Sequence, residues 1–403
     1  MTKKATPRRF TGNFTQQEAI SDDAIDSAVA VMRSGRLHRY NVANPDEPSE
    51  TALLESEFAK YQNQQYALAL ASGGYAMQTA LRALDIKPGE PVLTNAFTLS
   101  PVPGAIDAVG GKPVLIETTS DLVIDIAHLE KMAAATDSRV LMLSHMRGHI
   151  ADMDAISALV KKYNITMIED CAHTMGATFN GIKSGCHGEM ACFSTQTYKH
   201  MNSGEGGFLT TNNDELMARS IVLSGSYMLY ERHDAAPPAK AFENIRLQTP
   251  NCSGRMDNLR AAILRPQLRN LDKNCLRWNE RFVSIMNTLK QCNSIALAQP
   301  HPSAKEVSSS FQFSIPDFSD EQNEQFLANC FERGVELKWF GANDPVAYTS
   351  RYESWGYVDS SRLENTDQVL HRLYDCRIPL TFSIDDCEQI AQIIVEEATE
   401  LAA

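Results

Sequence analysis

One acidic pair and one lysine stand out between residues 165 and 207 of this 403-residue chain. A short apolar run, Ile165 to Ile168, ends in Glu169 and Asp170, as a buried parallel strand does when it carries a functional acid at its carboxyl end. Lys199 follows in a polar loop with glycines soon after it. A lysine amine can form a Schiff base with a carbonyl compound, and a buried carboxylate can keep the nitrogen of an aromatic ring protonated. The pair therefore predicts chemistry at carbonyl carbons, assisted by a ring that withdraws electrons.

These two groups are the ones that a pyridoxal phosphate enzyme needs most. The alternative is an ordinary structural role for each, because lysines are mostly solvated and an aspartate at a strand end is often a turn former or helix cap. Five short motifs around the pair favour the enzyme: Glu169 to His173, Met175 to Ala177, Cys192 to Ser194, Lys199, and Gly204 to Gly207. In order and spacing this string resembles the DegT/StrS family, whose members are fold-type I aminotransferases that act largely on keto-sugars.

The resemblance implies a role for four residues of these motifs. Lys199 would hold pyridoxal phosphate as a Schiff base and move the proton during the reaction, and Asp170 would face the pyridine nitrogen. His173 occupies the place on the ring face where the family carries glutamine or histidine, and Ser194 would bind the phosphate. One subgroup of the family has histidine instead of the lysine and performs sugar deoxygenation or dehydration. Lys199 therefore favours transamination.

A glycine turn nearer the N-terminus predicts a phosphate site. Tyr66 to Ala71 predicts a strand and Tyr75 to Leu84 a helix, with Ser72, Gly73 and Gly74 between them. Such a turn binds anions, because free backbone amides and the helix dipole point at the ligand. In the family the corresponding string is Ser-Gly-Thr and holds the cofactor phosphate. Gly74 takes the threonine position here, so the backbone of Gly73, Gly74 and Tyr75 must supply more of the contacts.

Two further cofactor contacts are implied by the resemblance. Phe97 follows a predicted strand, at the position where the family places an aromatic ring against the pyridine; without the motif, a core phenylalanine is the simpler interpretation. Ser253 stands two positions before Arg255, where the family usually has an asparagine that reaches the phosphate of the neighbouring subunit. A serine can still donate a hydrogen bond there.

Arg36, Arg39 and Arg147 are the candidates for binding an anionic group of the substrate. The first two lie in the polar segment 36–50, which predicts either a solvated turn or a loop over the active site. Arg147 follows the predicted strand Val140 to Ser144 and could bind a carboxylate through two parallel hydrogen bonds. A surface arginine is an equally simple interpretation of Arg147.

The pattern of elements predicts an α/β protein. Strands alternate with helices from residue 66 to residue 223, which indicates right-handed βαβ units and a mostly parallel sheet. The resemblance implies the fold-type I architecture, with a large domain at residues 1–250 that holds a mixed, mostly parallel sheet flanked by helices. Residues 1–15 would be a surface arm. Residues 251–403 alternate less regularly, with a strand at Val335 to Phe340, and would form a smaller α+β domain.

The composition excludes several classes of protein. The net charge of −13 argues against nucleic acid or an anionic membrane surface as a partner. The nine cysteines are irregularly spaced and include no C-x-x-C pair, so neither a disulfide framework nor a metal site is expected. No secretion signal and no membrane span can be recognised, which predicts a cytoplasmic protein.

The activity implied by the resemblance is a ping-pong transamination. An amino group would move from L-glutamate or L-glutamine to a keto-sugar or aldehyde sugar, in the biosynthesis of an amino sugar for a surface polysaccharide or a natural product. A homodimer is implied as well, because fold-type I enzymes build each active site at a dimer interface. The alternative is elimination, dehydration or cyclisation on an amino acid or sugar, since a shared fold does not fix the reaction.

Overall fold

The computed structural model describes residues 8–44 and 46–402. The strands in these residues are β1 Tyr66–Leu70, β2 Pro91–Asn95, β3 Lys112–Ile116, β4 Val140–Ser144, β5 Thr166–Asp170, β6 Thr178–Phe179, β7 Ile182–Lys183, β8 Met190–Ser194, β9 Gly207–Thr211, β10 Ala304–Lys305, β11 Ser310–Ser314, β12 Lys338–Trp339 and β13 Leu373–Arg377. The α-helices are α1 Asp22–Ser34, α2 Glu50–Gln62, α3 Gly73–Ala83, α4 Pro101–Ala108, α5 Ile126–Ala135, α6 Met153–Lys162, α7 Asp214–Ser224, α8 Asn258–Arg269, α9 Leu271–Leu289, α10 Asp320–Glu332, α11 Glu364–His371 and α12 Ile384–Ala402. Within the same residues, no helix has both the length and the apolar character needed to cross a bilayer.

Seven of the strands form one sheet in the order β1-β9-β8-β5-β4-β2-β3. Only β9 runs antiparallel to its neighbours, β1 and β8, and all other pairs in the sheet are parallel. This arrangement confirms the predicted mixed, mostly parallel sheet. The register sets Asp170 opposite both Ser144 and Cys192. The carboxyl ends of β4, β5 and β8 therefore lie side by side, and the candidate residues follow them in the sequence.

Helices cover both faces of this sheet. Ala67 and Ala69 of β1 face a core that includes side chains of α2, α5, α6 and α8, whereas Leu68 and Leu70 face a second core formed with α3, α4 and α7. The alternation arises because successive side chains of a strand point to opposite faces. Strands buried on both faces are apolar throughout, which is why β1 contains no charged residue.

The C-terminal part of the chain contains a smaller antiparallel sheet in the order β11-β13-β12. The predicted strand Val335 to Phe340 is wrong in extent, because only Lys338 and Trp339 pair with β13. Val335 still belongs to the turn that ends α10, where its amide donates to the carbonyl of Cys330 at 2.8 Å. The central strand of the sheet, β13, contains Cys376, whose neighbours in the sequence form a strand-like run.

The described N-terminal residues are packed against the C-terminal part of the chain, which corrects the expectation of a surface arm at residues 1–15. Phe10 and Phe14 are each 3% exposed, and their rings contact Phe382 edge-on at centroid distances of 5.0 Å. The amide of Phe10 donates to the carbonyl of Arg333 at 2.8 Å. Residues 1–7 of the predicted arm lie outside the described residues, and the domain division at residues 250 and 251 stays a prediction.

A fully buried ion pair fixes α2 against β1. Arg39 donates to both carboxylate oxygens of Glu55, at 2.8 and 2.7 Å, and Glu55 also accepts the amide hydrogen of Ala69 in β1 at 2.7 Å. Nε2 of His233 lies 3.2 Å from the same carboxylate. Burial alone would raise the pKa of Glu55, but the charges of Arg39 and His233 outweigh burial and lower it to about 2. Arg39 thus has its counter-charge inside the protein.

The change Glu55→Gln leaves the buried guanidinium of Arg39 without a counter-charge. We expect the free energy of unfolding in urea to fall by about 3 to 5 kcal/mol. Because the folded-state pKa is depressed, this contribution is present above the ordinary carboxyl pKa of 4.5 and is lost as the pH falls towards 2. The control is Glu57→Gln on the same helix, where the partner Arg265 is partly exposed and the loss should stay below about 1 kcal/mol. Equally small losses would contradict a structural role for the buried pair.

Candidate active site

A cavity of about 460 Å³ opens at the carboxyl ends of β4, β5 and β8. In open α/β sheets, ligands bind at this edge. The predicted site residues that line the cavity are Ser72, Gly73, Gly74, Arg147, Asp170, His173, Ser194 and Lys199. Those outside its lining are Arg36, Arg39, Tyr75, Phe97 and Ser253. The structure therefore brings together the predicted residues at and shortly after the carboxyl ends of β1, β4, β5 and β8, but not Phe97 after β2.

Of the acidic pair at the end of β5, only Asp170 reaches the cavity. One of its carboxylate oxygens accepts a hydrogen bond from the Ser144 hydroxyl at 2.9 Å, and the other accepts one from the Ala172 amide at 3.2 Å. Glu169 points to the opposite face, where it accepts the amide hydrogens of residues 185, 187 and 188. The strand geometry thus separates a functional acid from a structural one.

The amine of Lys199 lies 2.7 Å from Nε2 of His173 and forms no ion pair with a carboxylate in the described part of the chain. Burial and the nearby charge of Arg147 lower the pKa of Lys199 to about 7, against an opposing effect of Asp170. Burial also holds the pKa of His173 well below its usual range, so that the imidazole stays neutral. Much of the amine is therefore unprotonated near neutral pH, which is the form that attacks a carbonyl.

The predicted phosphate site is built at the start of α3. The Ser72 hydroxyl caps this helix by accepting the amide hydrogen of Tyr75 at 3.0 Å, so this amide already has a partner. Residue 73 needs to be glycine because the backbone there passes close to Ser194: a Cβ on Gly73 would lie 2.9 Å from Cβ of Ser194. At Gly74, a Cβ would meet nothing closer than 3.9 Å. The first amides of the helix and the Ser194 hydroxyl thus surround one end of the cavity.

Phe97 and Ser253 lie elsewhere in the described chain. The ring of Phe97 is 1% exposed and packs edge-on against Phe340 at a centroid distance of 5.4 Å, so it belongs to a small core beside the cavity. Ser253 is exposed, with a left-handed backbone at φ 50°, and its hydroxyl donates to the side chain of Asn251. Neither residue contacts the cavity of its own chain.

The three predicted arginines have different surroundings. Arg36 is exposed, Arg39 is bound to Glu55 as described, and only Arg147 lines the cavity. Nη2 of Arg147 donates to Oδ2 of Asp375 at 3.0 Å, and its Nε lies 2.9 Å from Oδ1. The charge of Arg147 is thus balanced within the chain.

Several cavity residues were not among the predicted ones, including Tyr198, Trp278, Tyr348 and Arg377. Arg377 ends β13, and its guanidinium carbon lies 3.9 Å from the ring centre of Tyr198. A signal for it exists in the sequence, because Arg377 directly follows Cys376 in a strand-like run and a charged residue is uncommon in such a run.

One group of potential metal ligands occurs among the described residues, outside the cavity. Side-chain atoms of His145, Glu169 and Cys171 lie within 4.8 Å of one another. The carboxylate of Glu169 is already occupied by three amides and by His145, and burial raises the pKa of the Cys171 thiol well above its usual value. These hydrogen bonds account for the positions of His145 and Glu169 in this cluster.

Comparison with known proteins gives a consistent set of relatives. GDP-perosamine synthase from Caulobacter vibrioides is 34% identical over 231 residues, which cover 57% of this chain and 59% of that protein. The dTDP-3-amino-3,4,6-trideoxy-alpha-D-glucose transaminase from Streptomyces venezuelae is 33% identical over 261 residues, which cover 64% of this chain and 62% of that protein. The chain thus matches about three fifths of the length of these curated relatives.

Solved structures share the fold over nearly the whole chain. The S. venezuelae protein DesV matches with a TM-score of 0.78 at 25% identity, covering 93% of this chain and 94% of that chain. A 3-amino-5-hydroxybenzoic acid synthase matches with a TM-score of 0.81 at 22% identity, covering 96% of this chain and 99% of that chain. These matches confirm the predicted fold-type I architecture. Since the model of the DegT/DnrJ/EryC1/StrS aminotransferase family also matches residues 20–395, the chain belongs to that family, as its motifs predict.

Proposed function

We propose that this chain is a pyridoxal phosphate-dependent aminotransferase that moves the amino group of L-glutamate or L-glutamine to a keto-sugar or aldehyde sugar, in the biosynthesis of an amino sugar. The observation that carries the proposal is the partly buried Lys199, whose amine has a pKa of about 7, in one cavity with the carboxylate of Asp170. The family membership supports the reaction, and the names of the two curated relatives support a sugar as acceptor.

The cofactor is pyridoxal phosphate, and the residues of the cavity fit each of its parts. The carboxylate of Asp170 suits a protonated ring nitrogen, and the Lys199 amine suits the aldehyde. The first amides of α3 and the hydroxyl of Ser194 suit the phosphate, in a cradle that a side chain at Gly73 would fill. When bound, this cofactor supplies a ring that withdraws electrons from the reacting carbon of the substrate.

Residues of the chain itself can transfer the proton during the reaction. Lys199 can take up a proton from a substrate carbon and return it, because its pKa lies near the working pH. His173 stays neutral, so its Nε2 can accept a hydrogen bond from the amine and orient it. Asp170 is held at both oxygens by Ser144 and Ala172, which fixes the direction of its negative charge.

We also infer a cytoplasmic homodimer with domains at residues 1–250 and 251–403. The seven-stranded sheet lies within the first range and the β11-β13-β12 sheet within the second, which supports the division. The β6–β10 pair and the contacts of Phe10 and Phe14 with Phe382 connect the two ranges. Ser253 is exposed, and at a dimer interface it could reach the site of a second copy. A monomer in light scattering would contradict the dimer.

The visible absorption spectrum of the purified protein tests the function. We expect a yellow protein whose visible band fades on addition of L-glutamate or L-glutamine and returns on addition of a keto-sugar. Lys199→Ala should abolish turnover while leaving the far-ultraviolet circular dichroism unchanged, because it removes only the reactive amine. The exposed lysine variant Lys161→Ala is the control and should behave as the wild type. A yellow protein indifferent to both donors would point to elimination instead.

Asp170→Asn should slow the conversion of the cofactor by L-glutamate roughly 100-fold to 1,000-fold, because a neutral amide cannot stabilise a protonated ring nitrogen. The matched variant Ser144→Ala removes one hydrogen bond to the same carboxylate and should slow the step only about 10-fold. Stopped-flow absorption measures both rates. A near-normal rate for Asp170→Asn would remove the residue from the mechanism.

Gly74→Thr should tighten the binding of pyridoxal phosphate roughly threefold to tenfold, because the site has room for a Cβ and a hydroxyl can donate to the phosphate. Gly74→Ala adds the Cβ without the hydroxyl and should leave affinity within about twofold of the wild type. Titration of the cofactor-free protein measures the dissociation constants. Equal affinities for the two variants would show that no hydroxyl contact forms.

A further inference from the structure

One arginine of the cavity has no ion-pair partner in the described chain, and the carboxylates that line the same cavity, Asp170 and Glu205, do not pair with it. The basic side chains of the cavity are Lys199, Arg147 and Arg377. Lys199, with a pKa of about 7, is only partly protonated near neutral pH, and Arg147 is paired with Asp375. Arg377 contacts only aromatic rings, and no carboxylate in the described residues pairs with it.

Asp375 is the nearest candidate partner on the same strand, but its oxygens are already used. Residues 375 and 377 lie on the same face of β13, because side chains alternate along a strand. Asp375 instead accepts hydrogen bonds from Arg147 at 3.0 Å, from Gln312 at 2.6 Å and from the hydroxyl of Tyr348. The carboxylate oxygens of Asp375 are thus occupied by these three donors, so Arg377 has no ion-pair partner on this strand.

Two tyrosine rings contact the guanidinium of Arg377. Its central carbon lies 3.9 Å from the ring centre of Tyr198 and 5.0 Å from that of Tyr348. Such cation–π contacts use the faces of the rings and leave the N–H groups of the guanidinium available to an anion. Arg377 and Lys199 line the same cavity, and besides burial the charge of Arg377 contributes to the lowered pKa of Lys199.

We propose that Arg377 is a substrate-binding residue that takes a carboxylate through its two-pronged N–H edge. The ligand is a carboxylate because the planar fork matches that group and because the start of α3, with Ser194, already serves the phosphate. The carboxylate belongs either to the amino donor or to an acidic acceptor. The proposal deepens the proposed aminotransferase function and rests on it for the identity of the substrates.

Binding of succinate to the protein loaded with cofactor tests the subsite apart from catalysis, because succinate has carboxylates but no amino or keto group. Calorimetric titration should show that Arg377→Gln weakens succinate binding roughly 10-fold to 100-fold, with Arg377→Lys in between. The control is Arg372→Gln, which changes an exposed arginine outside the cavity and should bind as the wild type. An unchanged cofactor spectrum verifies that each variant is folded. Equal binding by Arg377→Gln and the wild type, or no binding by the wild type, overturns the proposal.

The half-reactions then identify which substrate provides the carboxylate. A raised KM for L-glutamate in Arg377→Gln, with the rate at saturation retained, assigns the donor. An unchanged half-reaction with L-glutamate, together with weakened succinate binding, assigns an acidic acceptor. If the wild-type protein ignores both donors but binds succinate through Arg377, the aminotransferase function fails while the carboxylate subsite stands.

Discussion

The site depends on keeping Lys199 and Asp170 in one cavity without an ion pair between them. A direct pair would raise the pKa of the amine and hold its proton, because an opposite charge favours the charged form. Instead, Ser144 and the Ala172 amide satisfy the carboxylate, while the amine lies against the neutral ring of His173. Burial then lowers the amine pKa to about 7. The register of β4 and β5 sets Ser144 opposite Asp170, so the pairing of these two strands determines the position of the Asp170 carboxylate.

The loop that carries Lys199 is fixed by the one antiparallel strand of the large sheet. Ser194 and Gly207 pair at the base of this loop, and the amide of Thr195 donates to the carbonyl of Gly206 at 2.9 Å. A Cβ at Gly207 would lie 2.6 Å from the amide nitrogen of Gly73, so the start of α3 approaches the loop as closely as backbones permit. Because β9 pairs with both β8 and β1, the lysine loop and the phosphate site lie at the same edge of the sheet.

The sequence reveals those parts of the site that follow strand ends. Periodicity locates the strands, and parallel strands gather their carboxyl ends at one edge, which is why Lys199 and Asp170 meet in one cavity. Contacts between distant elements could not be predicted in the same way. Arg39 lies in a polar segment like Arg36, yet a carboxylate inside α2 binds it. Phe97 follows a strand end as expected, but its ring turns to Phe340, a residue of the C-terminal sheet region whose register no local pattern specifies.

Three arginines of this protein, Arg39, Arg147 and Arg377, differ in where the counter-charge of the guanidinium lies. A guanidinium withdrawn from water needs a counter-charge, since its desolvation is costly. Arg39 obtains one from Glu55 and stabilises the fold, and Arg147 obtains one from Asp375 and fixes the cavity wall. Arg377 is partly exposed, and its guanidinium contacts two tyrosine rings, which stabilise a cation less than a carboxylate does. Arg147 and Arg377 both line the cavity, but of the two only Arg377 lacks an ion-pair partner in the described residues. The missing counter-charge therefore lies where a substrate can supply it, so that binding itself completes the electrostatics of the site.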